Sequence, residues 1–239
     1  MSLSRKQKLS VIPFLLYWPI LFTLMHIPIP SGGNWQITIA LSDKILHCFA
    51  YLILLFVVWF ALKQDAKVNW KKAITWWIIL AMAIYGLIDE WLQSYVGRSP
   101  DITDFASDMI AVVLGLLMLS VIPFWPAGLA VTGIVTFILI QFIRINFTAQ
   151  LPILVTVSYI LLLSFFTVLW IQCMKDVKRS GIWLISLFAG PLSFLLIMEL
   201  SFKMSNYDFS WLNTAFAAVA ICAVVLVYYK HRHFLKNVC

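Results

Sequence analysis

Asp43, Lys44, His47 and Tyr51 open one apolar stretch of the chain, and Asp43, His47 and Tyr51 recur at steps of four. That spacing sets the three on one stripe of a helix, where a carboxylate can fix an imidazole. Such a histidine can serve as a hydrogen-bond partner or as a group that titrates near neutral pH. A second polar group closes a later apolar stretch. In Tyr85-Gly86-Leu87-Ile88-Asp89-Glu90-Trp91-Leu92-Gln93, the residues Tyr85, Asp89 and Gln93 share a helix face and Glu90 points about 100° away. Two adjacent carboxylates cannot both face lipid, so at least one must turn inward. Arg98 follows, the only base in its loop, and its guanidinium suits a carboxylate or a phosphate. Asp101 and Asp104 stand where N-capping and the helix dipole favour acids. Asp108, one turn deeper, has no capping task and is the carboxylate that carries most weight. In the plain alternative Asp43 is an N-cap, His47 packs, and the acids sit solvated at a membrane surface.

The elements that must position these groups are membrane spans. Hydrophobic residues make up 63% of the 239 and charged residues only 11%, which excludes an ordinary soluble domain. Runs long enough to cross a bilayer core of about 30 Å occur at 9–27, 44–62, 73–93, 104–123, 127–143, 152–173, 182–200 and 211–229. The expected fold is therefore an all-α polytopic bundle of eight helices. Pro123-Phe124-Trp125-Pro126 forms the tightest connection, stopping one helix and opening the next. A signal peptide is the weaker reading of the N-terminal run, which is long and lacks a convincing cleavage site. No internal repeat is evident.

Positive charge sorts by side. Thirteen of the 17 Lys and Arg residues fall at the N-terminus, in the 63–72 and 174–181 loops and in the C-terminal tail. Lys44, Arg98, Arg144 and Lys203 make up the other side. Both termini are thus expected in the cytoplasm, with a net charge of +7 that needs no nucleic-acid partner to explain it. Eight of the ten acids then lie at the outer face or the outer ends of helices, where unpaired charge is costly. His47, Glu90, Arg98, Asp104 and Asp108 are expected to meet in one outer pocket. Cys48, Cys173, Cys222 and Cys239 have no zinc or haem spacing, and no disulfide is expected. Glu199 and Lys203, four apart, are expected to form a local ion pair. His26 is a lesser site candidate, and His231 and His233 in the basic tail are expected to be solvated.

The set Asp43-Lys44-x-x-His47-x-x-x-Tyr51, Tyr85-Gly86-x-x-x-Glu90-x-x-Gln93 and Arg98-x-x-Asp101-x-x-Asp104-x-x-x-Asp108 resembles the VanZ-like family of bacterial membrane proteins. The resemblance covers about the first four spans, and it divides the chain into a VanZ-like membrane domain at 1–123 and a further four-helix region at 124–239. Ala111 stands where the family commonly has its first glycine, while Gly115 matches the second and would let another helix approach. The resemblance implies a role at the bacterial cell envelope, in the cytoplasmic membrane, with the name-giving member associated with teicoplanin resistance.

Two functions follow from these residues. In the first, Asp43, Lys44, His47, Tyr51, Asp89, Glu90, Gln93, Arg98, Asp101, Asp104 and Asp108 line a site that engages membrane lipid, a lipid-linked envelope precursor or a lipoglycopeptide. In the second, His47, Glu90 and Asp108 are catalytic candidates acting on a phosphate- or glycan-bearing lipid. No cofactor is expected beyond a divalent cation such as Mg²⁺ or Mn²⁺, which one histidine and several carboxylates suit. No H-E-x-x-H, G-x-S-x-G or P-loop signature accompanies them. Proton-coupled transport is disfavoured, because the acids lie at helix ends and not at the midplane.

Overall fold

In the computed structural model the described residues are 5–26, 36–96, 100–148, 151–175, 177, 181–205 and 210–238, and among them there is no strand. Eight α-helices follow one another: α1 (Arg5–Met25), α2 (Gln36–Lys63), α3 (Ala73–Gln93), α4 (Ile102–Val121), α5 (Phe124–Phe147), α6 (Pro152–Met174), α7 (Gly181–Met204) and α8 (Trp211–Val238). A 3-10 turn, Ser94–Val96, continues α3. Helices are what apolar runs must form in lipid, since every backbone amide and carbonyl then finds its partner within the segment. Seven of them are long and apolar enough to cross a membrane, and α1 contributes a shorter apolar stretch, Val11–Thr23. The protein is a multi-pass membrane protein. Large apolar side chains such as Trp77, Leu87, Leu114 and Ile153 are exposed, as a lipid-facing surface requires.

The chain divides into two compact units, Met1–Ala127 and Gly128–Cys239. In the first, α2 packs against both α1 and α4, and α3 packs against α4. Gly115 of α4 explains how close that packing is: a Cβ there would stand 2.5 Å from Leu55 Cδ2 and 2.9 Å from Leu52 Cδ1 of α2. Gly86 of α3 is a looser case, its Cβ position 3.1 Å from the Phe105 ring of α4. Tyr51, Leu54, Leu55 and Trp59 of α2, with Val112, Leu116 and Leu119 of α4, are buried between them. The loop joining α2 to α3 closes one end: Val68 N donates to Leu119 O at 3.2 Å. Lys67 Nζ donates to Val121 O at 3.0 Å, a cation on the carbonyl-rich end of α4. The opposite end of the same helices carries the acids.

In the second unit α6 packs against α7 and α8, and α7 against α8. One core joins Ile140, Val155, Tyr159, Leu163, Leu195, Met198, Ala217 and Ile221. Gly190 lies under Trp170, whose indole ring would be 2.2 Å from an added Cβ, and Trp170 Nε1 donates to Ser186 O at 3.0 Å. Pro152 opens α6, where its missing amide costs nothing.

Candidate functional site

Asp101 begins the site. As N-cap of α4 its side chain accepts from Thr103 N at 2.8 Å. That bond, with Thr103 and Lys44 adding to it, holds the Asp101 carboxyl down to about 2. Lys44 of α2 reaches across to α4, donating to Asp101 Oδ2 at 3.0 Å and Asp104 Oδ1 at 2.9 Å and also meeting the Thr103 hydroxyl. Glu90 Oε2 of α3 accepts from Asp101 N at 2.9 Å. Three helices are thereby tied at one end, and the tie accounts for Lys44, Asp101 and Asp104 as a clamp.

One turn further into α4 the character changes. Asp108 is wholly buried, His47 is 1% exposed and Glu90 7%. His47 Nδ1 lies 3.4 Å from Asp108 Oδ1. Neither carboxyl oxygen of Asp108 has a hydrogen bond among the described residues, and neither do Glu90 Oε1 and the Tyr51 hydroxyl. One potential ligand atom from each of His47, Glu90 and Asp108 lies within 4.8 Å of the others, so among the described residues these three are placed to hold a metal. A buried polar atom without a partner costs roughly 1–3 kcal/mol, and more when it is charged. Several of them together are tolerated where something else completes the bonding, so the cluster can bind a cation, accept hydroxyl or amine donors, or pass a proton between imidazole and carboxyl.

Asp89 turns the other way. Gln93 Nε2 donates to Asp89 Oδ2 at 3.2 Å, as the spacing of four allows, and His26 Nδ1 of α1 lies 3.9 Å from Asp89 Oδ1. His26 Nδ1 is also 2.8 Å from Phe22 O. Adjacent acids in α3 are thus shared between neighbours on either side of the helix, Asp89 toward α1 and Glu90 toward α4. Tyr51 and Tyr85 pack ring to ring at 5.8 Å beneath the polar layer. Of the five residues expected in one pocket, His47, Glu90 and Asp108 meet, and Asp104 stands one turn away in the Lys44 clamp. Arg98 and the side chain of Asp43 fall outside the described residues.

The second unit holds an arrangement that sequence spacing misses. Glu199 does not pair with Lys203. Its Oε2 accepts from Arg144 Nη1 at 2.9 Å and its Oε1 from the Tyr159 hydroxyl at 2.9 Å. Arg144 Nη1 also donates to the Tyr159 oxygen at 2.9 Å, and its guanidinium lies 3.9 Å from the centre of the Phe202 ring. Glu199 is fully buried in the α5–α6–α7 core and Lys203 exposed, so the local partner would have drawn the carboxylate out of it. The signal available in sequence was a lone arginine and a lone glutamate within apolar runs, each needing a buried counterpart.

An all-helical membrane protein with a buried imidazole and carboxylate cluster, crossed by a lysine clamp at the end of three helices, is the class these observations define. The VanZ/LLP1 family model matches residues 2–123, more than half the chain, and the protein belongs to that family. The match takes in α1 to α4 and all the acids of the first site, and stops before α5. No curated protein and no solved structure matches the chain.

Proposed function

We propose that this VanZ/LLP1 protein sits in the bacterial cytoplasmic membrane with both termini in the cytoplasm, and binds the headgroup of a cell-envelope lipid at the outer ends of α2, α3 and α4. Through that lipid it contributes to tolerance of a lipoglycopeptide such as teicoplanin. The observation that carries the proposal is Asp108, a carboxylate with no exposed surface, 3.4 Å from His47 Nδ1 and with no hydrogen bond among the described residues, beside Glu90 with a second open oxygen. A protein does not keep such acceptors at membrane depth for packing, and hydroxyl or amine donors of a lipid headgroup would complete them. The lysine clamp supports the same reading, because it holds the three helices together while leaving the deeper acids open.

The enzyme alternative, acid/base chemistry on a phosphate- or glycan-bearing lipid, draws on the 3.4 Å approach of His47 to Asp108. Both are tested in a deletion strain carrying Asp108→Asn, His47→Ala or Lys203→Gln at equal membrane protein level. Loss of lipoglycopeptide tolerance, and of lipid co-purifying with the protein, is expected for the first two alone. Equal behaviour of all three variants would remove the site from function. Lys203 is the control position because it is exposed, whereas Glu199 is committed to its own buried network.

A further inference from the structure

The cluster of His47, Glu90 and Asp108 draws one residue from each of α2, α3 and α4, separated along the chain so widely that no local metal motif announces them. We propose that they bind one hard divalent cation of the Mg²⁺ or Mn²⁺ class, which staples the three helices together. The proposal goes beyond lipid binding and holds whichever lipid the site engages.

Geometry comes first. Two ligands at about 2.1 Å from one ion stand about 3 Å apart at right angles and about 4.2 Å apart when opposite. The His47 and Asp108 atoms at 3.4 Å and a full set within 4.8 Å need only side-chain adjustment to reach those values. Valence agrees as well. Glu90 already uses Oε2 on the Asp101 amide, which orients the side chain and leaves Oε1 turned to the cluster. Asp108 has both oxygens open. The hydrogen bond fixing Glu90 is the kind of outer contact that aims a metal-binding carboxylate.

Charge decides between a cation and its rivals. Two carboxylates and a neutral imidazole carry a charge of about −2, which a divalent ion cancels at one point while satisfying all three groups. Protons would cancel the charge too, but each proton satisfies one acceptor at a time, whereas one divalent ion meets both carboxylates and the imidazole at once. Lys44 is the nearest ammonium in sequence and is committed to Asp101 and Asp104. Oxygen ligands outnumber nitrogen two to one, which selects hard cations, and the imidazole favours Mn²⁺ over Mg²⁺ within that class. Three protein ligands leave the remaining positions of an octahedral ion to water or to oxygens of a bound headgroup.

Mn²⁺ is the probe. Protein purified in detergent, stripped with a chelator and titrated with Mn²⁺ alone, should bind one ion per chain, read as loss of the free-ion electron paramagnetic resonance signal. Asp108→Asn and Glu90→Gln should each weaken binding about tenfold or more, while Asp65→Asn in the loop after α2 should bind as the wild type does. Thermal unfolding guards against a variant that merely misfolds. Mn²⁺ should raise the midpoint of the wild type and not that of Asp108→Asn. In chelator, Asp108→Asn should unfold at the wild-type midpoint or above it, having lost a buried carboxylate whose oxygens have no hydrogen bond among the described residues. No Mn²⁺ bound, equal binding by Asp108→Asn, or a lower Asp108→Asn midpoint in chelator would each overturn the proposal. Loss of lipoglycopeptide tolerance in Asp108→Asn without any Mn²⁺ binding would overturn the metal and leave the lipid reading standing.

Discussion

Each half of this molecule buries a constellation of ionisable side chains supplied by three helices, and the two constellations are bonded in opposite ways. Arg144, Tyr159 and Glu199 close on one another: both oxygens of Glu199 are used at 2.9 Å, and the tyrosine hydroxyl bonds to each of its neighbours. His47, Glu90 and Asp108 are as deeply buried, yet the two acids of that set retain three oxygens without a hydrogen bond among the described residues. Burial of charge is common to both and so cannot by itself mark a site. What separates them is whether the polar atoms satisfy one another. A closed set neutralises its charge and fixes how its helices pack, whereas an open one keeps bonding capacity for something that arrives from outside.

The contrast is broken most forcefully through the closed set. Glu199→Ala leaves the Arg144 guanidinium buried without its carboxylate, and removal of one partner of such a pair costs about 3–5 kcal/mol. The expected result is a large loss of folded protein in the membrane, measured by fluorescence-detected size exclusion after mild heating. Replacing the pair together, Arg144→Met with Glu199→Leu, should recover most of it. If Glu199→Ala accumulates normally but abolishes function, the triad is a working site and closure of its hydrogen bonds does not mark a structural role.

Two glycines sharpen the comparison at an intermediate scale. Gly190→Ala in the second unit sets a methyl against the rigid Trp170 ring at 2.2 Å, and Gly115→Ala in the first sets one against the movable ends of Leu55 and Leu52. Overpacking of this kind costs about 1–3 kcal/mol, and the aromatic neighbour should place Gly190→Ala at the upper end and Gly115→Ala at the lower. Thermal midpoints of the purified variants give the order. A larger effect at Gly115 would mean that α2 and α4 cannot yield, and that the polar site is held more stiffly than the leucine contacts suggest.

The smallest effect belongs to the clamp. Lys44→Met releases Asp101 and Asp104, and because Lys44 and Asp101 are partly exposed the loss of stability should be slight and should shrink in high salt. The Asp101 carboxyl sits at about 2, below its unfolded value of about 3.9. Its contribution is therefore complete above the unfolded value and fades as pH falls through the folded one. Unfolding midpoints of wild type and Lys44→Met should differ by the same amount from pH 8 down to pH 5. A difference that grows across this range would assign the clamp a titrating partner other than Asp101.

Individual residues show how much of this was legible beforehand. Asp108 stood out because a second acid one turn past a capped start has no local task, and Gly115 because a small residue in an apolar helix invites a neighbour. Both inferences needed only helical periodicity. Lys44 was readable as a charge at the start of the apolar run of α2, but its reach to Asp101 and Asp104 was not, since the three meet only when α2 and α4 lie side by side. Glu199 misled, because its nearest cation along the helix is four residues away while its partner comes from 55 residues earlier.

Sequence alone determined that the chain builds apolar helices, where they run, that the acids gather at one end of α2, α3 and α4, and which family the first half belongs to. These are local quantities: hydropathy summed over a span, a period of 3.6, a spacing of side chains on one helix. Only the tertiary structure decided which acids face one another, that Asp89 and Glu90 part company across α3, and that one buried set closes while the other stays open. The physical reason is that pairing between helices depends on each helix's rotation about its own axis. A turn of 100° exchanges Glu90 for its neighbour, and that rotation is set by packing between helices, at contacts such as Gly86 of α3 against the Phe105 ring of α4.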